Sequence, residues 1–334
     1  MQRTLSQYLL LEQISSTGLS TVYKAHDTNN DRVVAIKVLR PYVCTDLPLL
    51  ERFSGEMDRV AILSHPNILP VYGKENEEDI HWIAMEYSFW PTLRQWLQQP
   101  ITPNQTLIIL KQLAVAIEAA SIQGIHHGDI KPGNIFLDPE TGHILLSDFG
   151  YSMLAEGAPL GVRTSLRTPL PTYTAPERGR NSAPNTISNI YSLGVLAFDM
   201  LTGTVPFNAI ERASVQARQL TSVPPTPSNI NPNIPQQLDP IILKALAPHP
   251  ERRYQTPSEF IDAFSAASPT SISEASVFKV PENITEQHSF PGLEYLDPEK
   301  QVAIGPPLIC TVCGYSNIAG AIWCAECWGV LRRV

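Results

Sequence analysis

The stretch HGDIKPGN at 127–134, with DFG following at 148–150, limits what this chain can be more than any other segment. Lys131 stands two residues after Asp129, Asn134 three further on, and Asp148 fourteen beyond that. In order, these residues offer a carboxylate that can orient or accept a hydroxyl proton, a cation, and two hard oxygen donors suited to magnesium. Phosphoryl transfer needs this set, because its catalysis is mostly positioning and charge neutralisation. Any one of the four could serve as a turn or cap residue in isolation. Their joint order and spacing carry the reading.

The rest of the chain is compatible with an enzyme of this kind. Its 334 residues hold a domain of roughly 250 residues with something small to spare. A hydrophobic content of 43% supports a core, and a net charge of −8 argues against a general binder of nucleic acid or anionic membrane. The longest apolar run, LIILKQLAVAIEAA at 107–120, is interrupted by Lys111 and Glu118 and reads as too short to span a membrane. The N-terminal MQRTLSQYLLLEQ lacks the pattern of a signal peptide. A soluble, cytoplasmic protein is the expectation. Of five cysteines, Cys44 stands alone, while Cys310, Cys313, Cys324 and Cys327 crowd the C-terminus as a separate module.

The pattern changes along the chain. Tyr8–Ser15, Thr21–His26, Arg32–Leu39, Leu69–Lys74 and His81–Glu86 read as strands. Leu49–Leu63 interrupts them as a helix with Leu50, Phe53, Met57, Val60 and Ala61 on one face. From Thr92 onward the periodicity is helical, at Leu93–Leu97, Gln105–Gln123, Ile190–Thr202, Leu238–Ala247 and Ser258–Ala267, with Ser188 as a cap candidate for the third. The fold class is therefore α+β: a β-rich lobe at 8–87 and an α-rich lobe at 88–264, with a cleft between them. Residues 265–307, rich in Ser, Pro and Glu, read as a partly disordered linker before a module at 308–331.

Residues 8–264 resemble eukaryotic-type (Hanks-type) protein Ser/Thr kinases, in their bacterial eukaryote-like group. LSHPNILPVYG and LTGTVPF carry that tone beside the HGDIKPGN and DFG motifs. The resemblance implies a two-lobed kinase fold using ATP and Mg2+, with protein Ser/Thr hydroxyls as substrate. It implies that Asp129 orients the substrate hydroxyl, that Lys131 steadies the transferring phosphate, and that Asn134 and Asp148 hold magnesium. Lys37 in VVAIK would pair with Glu56, nineteen residues on, and so hold the nucleotide phosphates. Val22 and Ala35 would cover the adenine and Phe136 would support it. Met85 would be the gatekeeper, with Glu86, Tyr87 and Ser88 forming the hinge. The glycine-rich loop would be Ile14, Ser15, Thr17 and Gly18, running to Ser20. Here Ser15, Thr17 and Ser20 stand where the family has glycines, and their side chains hinder close approach to phosphate. His127 would stack against Phe149 in a column with Val60 and Val71, and Glu177 would pair with Arg253.

Three further departures touch regulation and support. Gly128 stands where most of the family has the Arg that reads a phosphate on the activation loop. This implies a non-RD kinase in which Thr164, Ser165 and Thr168 are not sensed that way. Asn189 replaces an anchoring Asp, and Leu170 stands where a Thr is usual, with Thr168 as a substitute. The competing expectation is a pseudokinase or nucleotide-binding scaffold that signals by shape.

The end of the chain, CTVCGYSNIAGAIWCAECWGVL at 310–331, is C-x2-C-x10-C-x2-C. Two such pairs can close a tetrahedral structural Zn2+ site and supply the folding energy that so short a segment lacks. It resembles a zinc ribbon. The expected role is docking to a protein partner rather than to RNA, because Tyr315, Trp323, Trp328, Arg332 and Arg333 make a thin set for a nucleic acid.

Overall fold

A computed structural model describes residues 3–17, 19–97, 100–152, 154, 172–180, 182–207, 212–268 and 278, together with strands at 308–309 and 316–317. It divides into two units, Met1–Ile284 and Thr285–Val334. The Leu170 substitution, residues Thr164, Ser165 and Thr168, Gly18, and the four C-terminal cysteines lie outside the described residues.

The first unit begins with strands β1 (Arg3–Leu5), β2 (Tyr8–Ser16), β3 (Ser20–Asp27) and β4 (Arg32–Leu39). A short helix α1 (Pro41–Cys44), helix α2 (Leu47–Ala61), and strands β5 (Val71–Glu77) and β6 (Ile80–Glu86) follow. The six strands form one antiparallel sheet in the order β1-β2-β3-β4-β6-β5. The period-two alternation of strands β4 and β6 gives each sheet face its own core. Val34, Ile36, Val38, Trp82 and Ala84 face one way, onto Leu5, Tyr8 and Ala25. Ala35, Ile83 and Met85 face the other way, into the main core with α2. Strand β1 lies ahead of the expected start at residue 8, and it is anchored by the burial of Leu5.

Helix α2 starts two residues before the periodicity suggests, for a local reason. The Asp46 side chain accepts a hydrogen bond from the Leu49 amide, and Pro48 occupies the first turn, where its missing N–H costs nothing. Such a cap contributes about 1 kcal/mol. Leu49, Phe53, Met57 and Val60 are buried at helical spacing, which turns this face onto the sheet.

The second lobe holds α3 (Leu93–Trp96), α4 (Pro103–Ile122), a hairpin of β7 (Ile135–Leu137) and β8 (Ile144–Leu146), and α5 (Thr186–Thr202). Helices α6 (Arg212–Thr221), α7 (Pro227–Ile230), α8 (Asp239–Ala245) and α9 (Pro257–Ala267) complete it. Helix α4 reaches 20 residues and is long and apolar enough to cross a membrane by length and composition alone. It extends the apolar run at 107–120, which is too short for that, by four residues at the start and two at the end. Within the lobe, Ile109, Leu110, Leu113, Ala116, Ile117 and Ala120 of this helix are fully buried in the core.

The start of α5 corrects the expected cap. Asn185 is the cap, accepting from the Ser188 amide at 2.8 Å, while the Ser188 hydroxyl accepts from the Asn185 amide at 3.0 Å. Ser188 is therefore the third helical residue of a reciprocal capping box. Helix α9 runs to Ala267, past the expected linker start at 265. In the second unit, β9 (Leu308–Ile309) pairs antiparallel with β10 (Ser316–Asn317).

Candidate active site

Asp129, Lys131 and Asn134 come together on the loop before β7, and their bonds are mutual. Asn134 Nδ2 donates to the Asp129 backbone oxygen at 2.8 Å and to Asp129 Oδ2 at 3.2 Å. Lys131 Nζ donates to the same Oδ2 at 2.5 Å. Among the described residues Asp129 Oδ1 accepts nothing, so one oxygen is left for an incoming hydroxyl. Asn134 commits its nitrogen in this arrangement and keeps Oδ1 as a donor atom for a metal.

His127 is fully buried and has the structural role expected of it. Its Nε2 lies 2.7 Å from the Ser147 carbonyl, so Nε2 carries the proton and donates, while Nδ1 accepts from the Asp129 amide at 3.1 Å. Burial pushes its pKa down, and the ring packs edge-on against Phe149 with centroids 4.6 Å apart. A neutral His wedged between two backbone groups fixes the Asp129 backbone; it is not a free base.

Gly128 adopts φ +74°, a left-handed conformation that favours glycine. A Cβ built there would lie 2.5 Å from Ser152 Oγ and 2.9 Å from Pro184 Cβ. Its amide donates to Asn189 Oδ1 at 3.1 Å, so Asn189 keeps the anchoring bond expected of the residue it replaces. Asn189 is fully buried, and its Nδ2 has no hydrogen-bond partner among the described residues.

The Lys37–Glu56 pair expected from the resemblance is not formed. Lys37 Nζ lies 2.7 Å from Asp148 Oδ1. Glu56 Oε2 instead accepts from Arg59 Nη1 at 3.0 Å, and Arg59 Nη2 reaches the Gln123 carbonyl at the end of α4 at 2.7 Å. The reason is Tyr151. Its ring lies under the lysine, with Nζ 3.4 Å from the ring centroid, and packs edge-on against Phe53 of α2 at 5.3 Å. Gly150 lets this segment approach α2, since a Cβ there would meet Met57 Cε at 2.5 Å and Glu56 Cγ at 3.1 Å. Burial raises the Asp148 pKa, and the Lys37 ammonium outweighs that and holds the carboxyl below its usual range. Asp148 itself sits at φ +68°, a strained value for a residue with a side chain.

The Tyr151 hydroxyl is buried with no hydrogen-bond partner among the described residues. Two substitutions should therefore act in opposite directions. Tyr151→Phe removes an orphaned hydroxyl, which costs about 1–3 kcal/mol when buried, and is expected to raise Tm while keeping Lys37 on Asp148. Tyr151→Ala removes the ring and is expected to free Lys37 for Glu56 and lower the KM for ATP. A thermal melt and an ATP titration check both; equal KM values for the two variants would contradict the assignment.

Several residues that the resemblance assigns to a nucleotide pocket lie close together. Ala35 faces Met85 across β4 and β6, and Val22 faces Lys37 across β3 and β4. Val22, Tyr87 and Phe136 are half-buried against the core that contains Ala35 and Met85. At the mouth, Phe89 packs on Tyr87 at 4.9 Å, with Lys24 Nζ 5.1 Å from the Tyr87 ring. Ile14 is 44% exposed, leaving it free to cover a ligand. The loop after β2 is tied to itself: the Thr17 amide donates to the Ser20 carbonyl at 2.8 Å, and Thr17 Oγ1 accepts from the Ser20 amide at 3.2 Å. Arg40 Nη2 donates to Ser16 Oγ at 2.6 Å. Ser15 pairs with Val22 in the ladder. The Thr17 hydroxyl thus closes the turn. Arg40 is a loop-holding residue that the sequence reading missed.

The supporting ion pair is as expected. Arg253 meets Glu177 in a two-pronged contact, at 2.7 Å and 2.8 Å. Sequence reasoning also missed Arg178, which is 6% exposed and close enough to Asp129 for the two charges to interact. Burial pushes its guanidinium down to about 10, against the pull of that carboxylate. Only the fold reveals it, because nothing in PERGR distinguishes a buried Arg from a surface one.

A family model described as the protein kinase domain matches residues 8–263. The chain belongs to the protein kinase family, and its domain is of the bacterial Hanks-type serine/threonine class. It is 35% identical over 257 residues to the serine/threonine-protein kinase PrkC of Bacillus subtilis, covering 76% of this chain and 39% of that protein. It is 33% identical over 260 residues to PknB of Mycobacterium tuberculosis, covering 76% and 41%. The crystal structure of the M. tuberculosis PknI kinase domain superposes with a TM-score of 0.65 at 25% identity, covering 80% of this chain and 97% of that one. The chain spans about two fifths of the length of the curated relatives it matches.

Proposed function

We propose that this chain is an ATP- and Mg2+-dependent protein serine/threonine kinase of the non-RD type. The observation that carries the reading is the bonded set Asp129–Lys131–Asn134 near the ion pair of buried Lys37 with half-buried Asp148. Asp129 Oδ1 accepts or orients the hydroxyl proton of a Ser or Thr substrate, and Lys131 balances charge beside it. Lys37 holds nucleotide phosphates after leaving Asp148. The donor set fits magnesium: Asn134 Oδ1 and Asp148 Oδ2 are hard oxygens that no described group occupies. When bound, the metal supplies charge neutralisation of the β- and γ-phosphates. Gly128 cannot read a loop phosphate, so activity is independent of loop phosphorylation. Phosphoamino-acid analysis after incubation with labelled ATP and a basic protein substrate tests this. Phosphoserine and phosphothreonine, abolished by EDTA and retained after phosphatase pretreatment of the enzyme, are expected; phosphotyrosine alone, or loss of activity after phosphatase, would refute it.

The C-terminal module at 308–331 is, in this reading, a zinc ribbon that docks a protein partner. The C-x2-C-x10-C-x2-C spacing supports this reading, and strands β9 and β10, which flank Cys310 and Cys313 in the sequence, pair antiparallel. Metal analysis of the full chain should find about one zinc per chain, lost in Cys310→Ser/Cys324→Ser. Zinc retained by that variant would sink the assignment.

A further inference from the structure

Phe278 stands apart. It lies eleven residues beyond the end of α9 at Ala267, in the stretch that the sequence reads as a linker, yet it is only 5% exposed and belongs to the main core. Its ring packs edge-on against Trp96 of α3, with centroids 5.9 Å apart. On another side it rests on Gly142, in the turn between β7 and β8. A Cβ at Gly142 would lie 2.5 Å from Phe278 Cε2 and 2.9 Å from Cδ2. The glycine leaves the space that the ring fills.

We propose that Gly142 and Trp96 form a docking socket on the lower lobe, and that its occupant is Phe278 of the same chain. Phe278 is thereby latched to the β7–β8 hairpin. Two observations favour this occupant: it is seated there beside Trp96, and its aromatic ring fills the space that the glycine leaves.

The location gives the latch a consequence. Strand β7 follows directly after Asn134, and β8 leads into Asp148. The Gly142 carbonyl accepts from Gln112 Nε2 at 2.8 Å, while Gln112 Oε1 accepts from the Ile144 amide at 3.0 Å and from Asn67 Nδ2 at 2.9 Å. Phe278 therefore covers the turn of a hairpin whose strands adjoin Asn134 and Asp148, and which is tied to α4 and to the segment before β5. Its contribution is to hold that turn closed, and this holds whether or not the chain transfers phosphate.

A double-mutant cycle on the full chain tests the contact. Gly142→Ala suffers both the backbone strain of φ +72° and the clash with the ring. In a Phe278→Ala background only the strain remains. The Tm loss from Gly142→Ala is expected to fall to about half or less in that background, because contacting residues are coupled. Phe278→Ala alone should speed amide exchange in residues 138–146 by about tenfold or more, and leave the distant α8 unchanged. Additive Tm losses, or wild-type exchange at 138–146 in Phe278→Ala, would overturn the proposal.

Discussion

Replacing Gly128 with arginine, the residue that the family resemblance implies there, is expected to damage the protein and not to create a phosphate switch. The backbone at Gly128 has φ +74°, and a Cβ would lie 2.5 Å from Ser152 Oγ, 3.0 Å from Ser152 Cβ and 2.9 Å from Pro184 Cβ. The left-handed conformation costs a side-chain-bearing residue about 1 kcal/mol. Forcing the Cβ into packed neighbours adds about 1–3 kcal/mol. The amide of this residue donates to Asn189 and its neighbour is Asp129, so any shift moves the Asp129 carboxylate. Gly128→Ala should reproduce most of the Tm loss of Gly128→Arg, because the clash begins at Cβ. A Gly128→Arg protein with wild-type Tm and phosphatase-sensitive activity would show this account of Gly128 to be wrong.

Arg253→Ala should produce the largest loss of stability. The arginine side chain is fully buried. Besides Glu177 it donates to the carbonyls of Ala247 at 2.7 Å, Pro248 at 3.0 Å and Ile187 at 3.4 Å, and its guanidinium stacks 4.9 Å from the Tyr191 ring. Removal leaves one carboxylate and three carbonyls without their cation. Breaking a buried pair from one side costs about 3–5 kcal/mol, or a fall of roughly 10 °C in Tm for a domain of this size. Arg253→Lys should recover only part of it, since an ammonium cannot match the fork on Glu177. Removing both partners, with Glu177→Gln in addition, should cost less than the sum of the two single changes. A loss under about 1 kcal/mol for Arg253→Ala would mean the pair is only a surface contact.

What could be read from the residues alone divides along a physical line. Asp129, Lys131 and Asn134 lie within six residues, so local geometry brings them together and their order reveals the chemistry. The lobes were legible because strand and helix periodicities differ and the chain changes from one to the other near Thr92. The identity of the partner of Lys37 was not legible. Glu56 and Asp148 both offer a carboxylate in the sequence, and Lys37 bonds to Asp148 with the ring of Tyr151, a residue with no pattern of its own, beneath it. An aromatic directly after Gly150 was the one available signal. Gly128 was visible as a missing arginine, but the crowding of its Cβ position comes from Ser152 and Pro184, which are remote in sequence. The cap of α5 was placed three residues late because Asn185 and Ser188 both suit the position, and only their reciprocal bonds distinguish them. Phe278 lay in a stretch whose composition argued for no structure at all, and its burial depends on Gly142, far back in the chain.

The assembled groups are expected to transfer phosphate. The most direct measurement is incorporation of label from γ-labelled ATP, with magnesium and a basic protein substrate, by the wild type and by Lys37→Met and Asp129→Asn. The arrangement predicts labelling of substrate by the wild type and a loss of roughly 10²–10⁴-fold in Asp129→Asn, the span expected when a positioned proton acceptor is removed. Lys37→Met should lose activity as well, with weakened nucleotide binding. Wild-type labelling no greater than that of the two variants, in a protein that still binds ATP, would contradict the account and make the chain a nucleotide-binding scaffold.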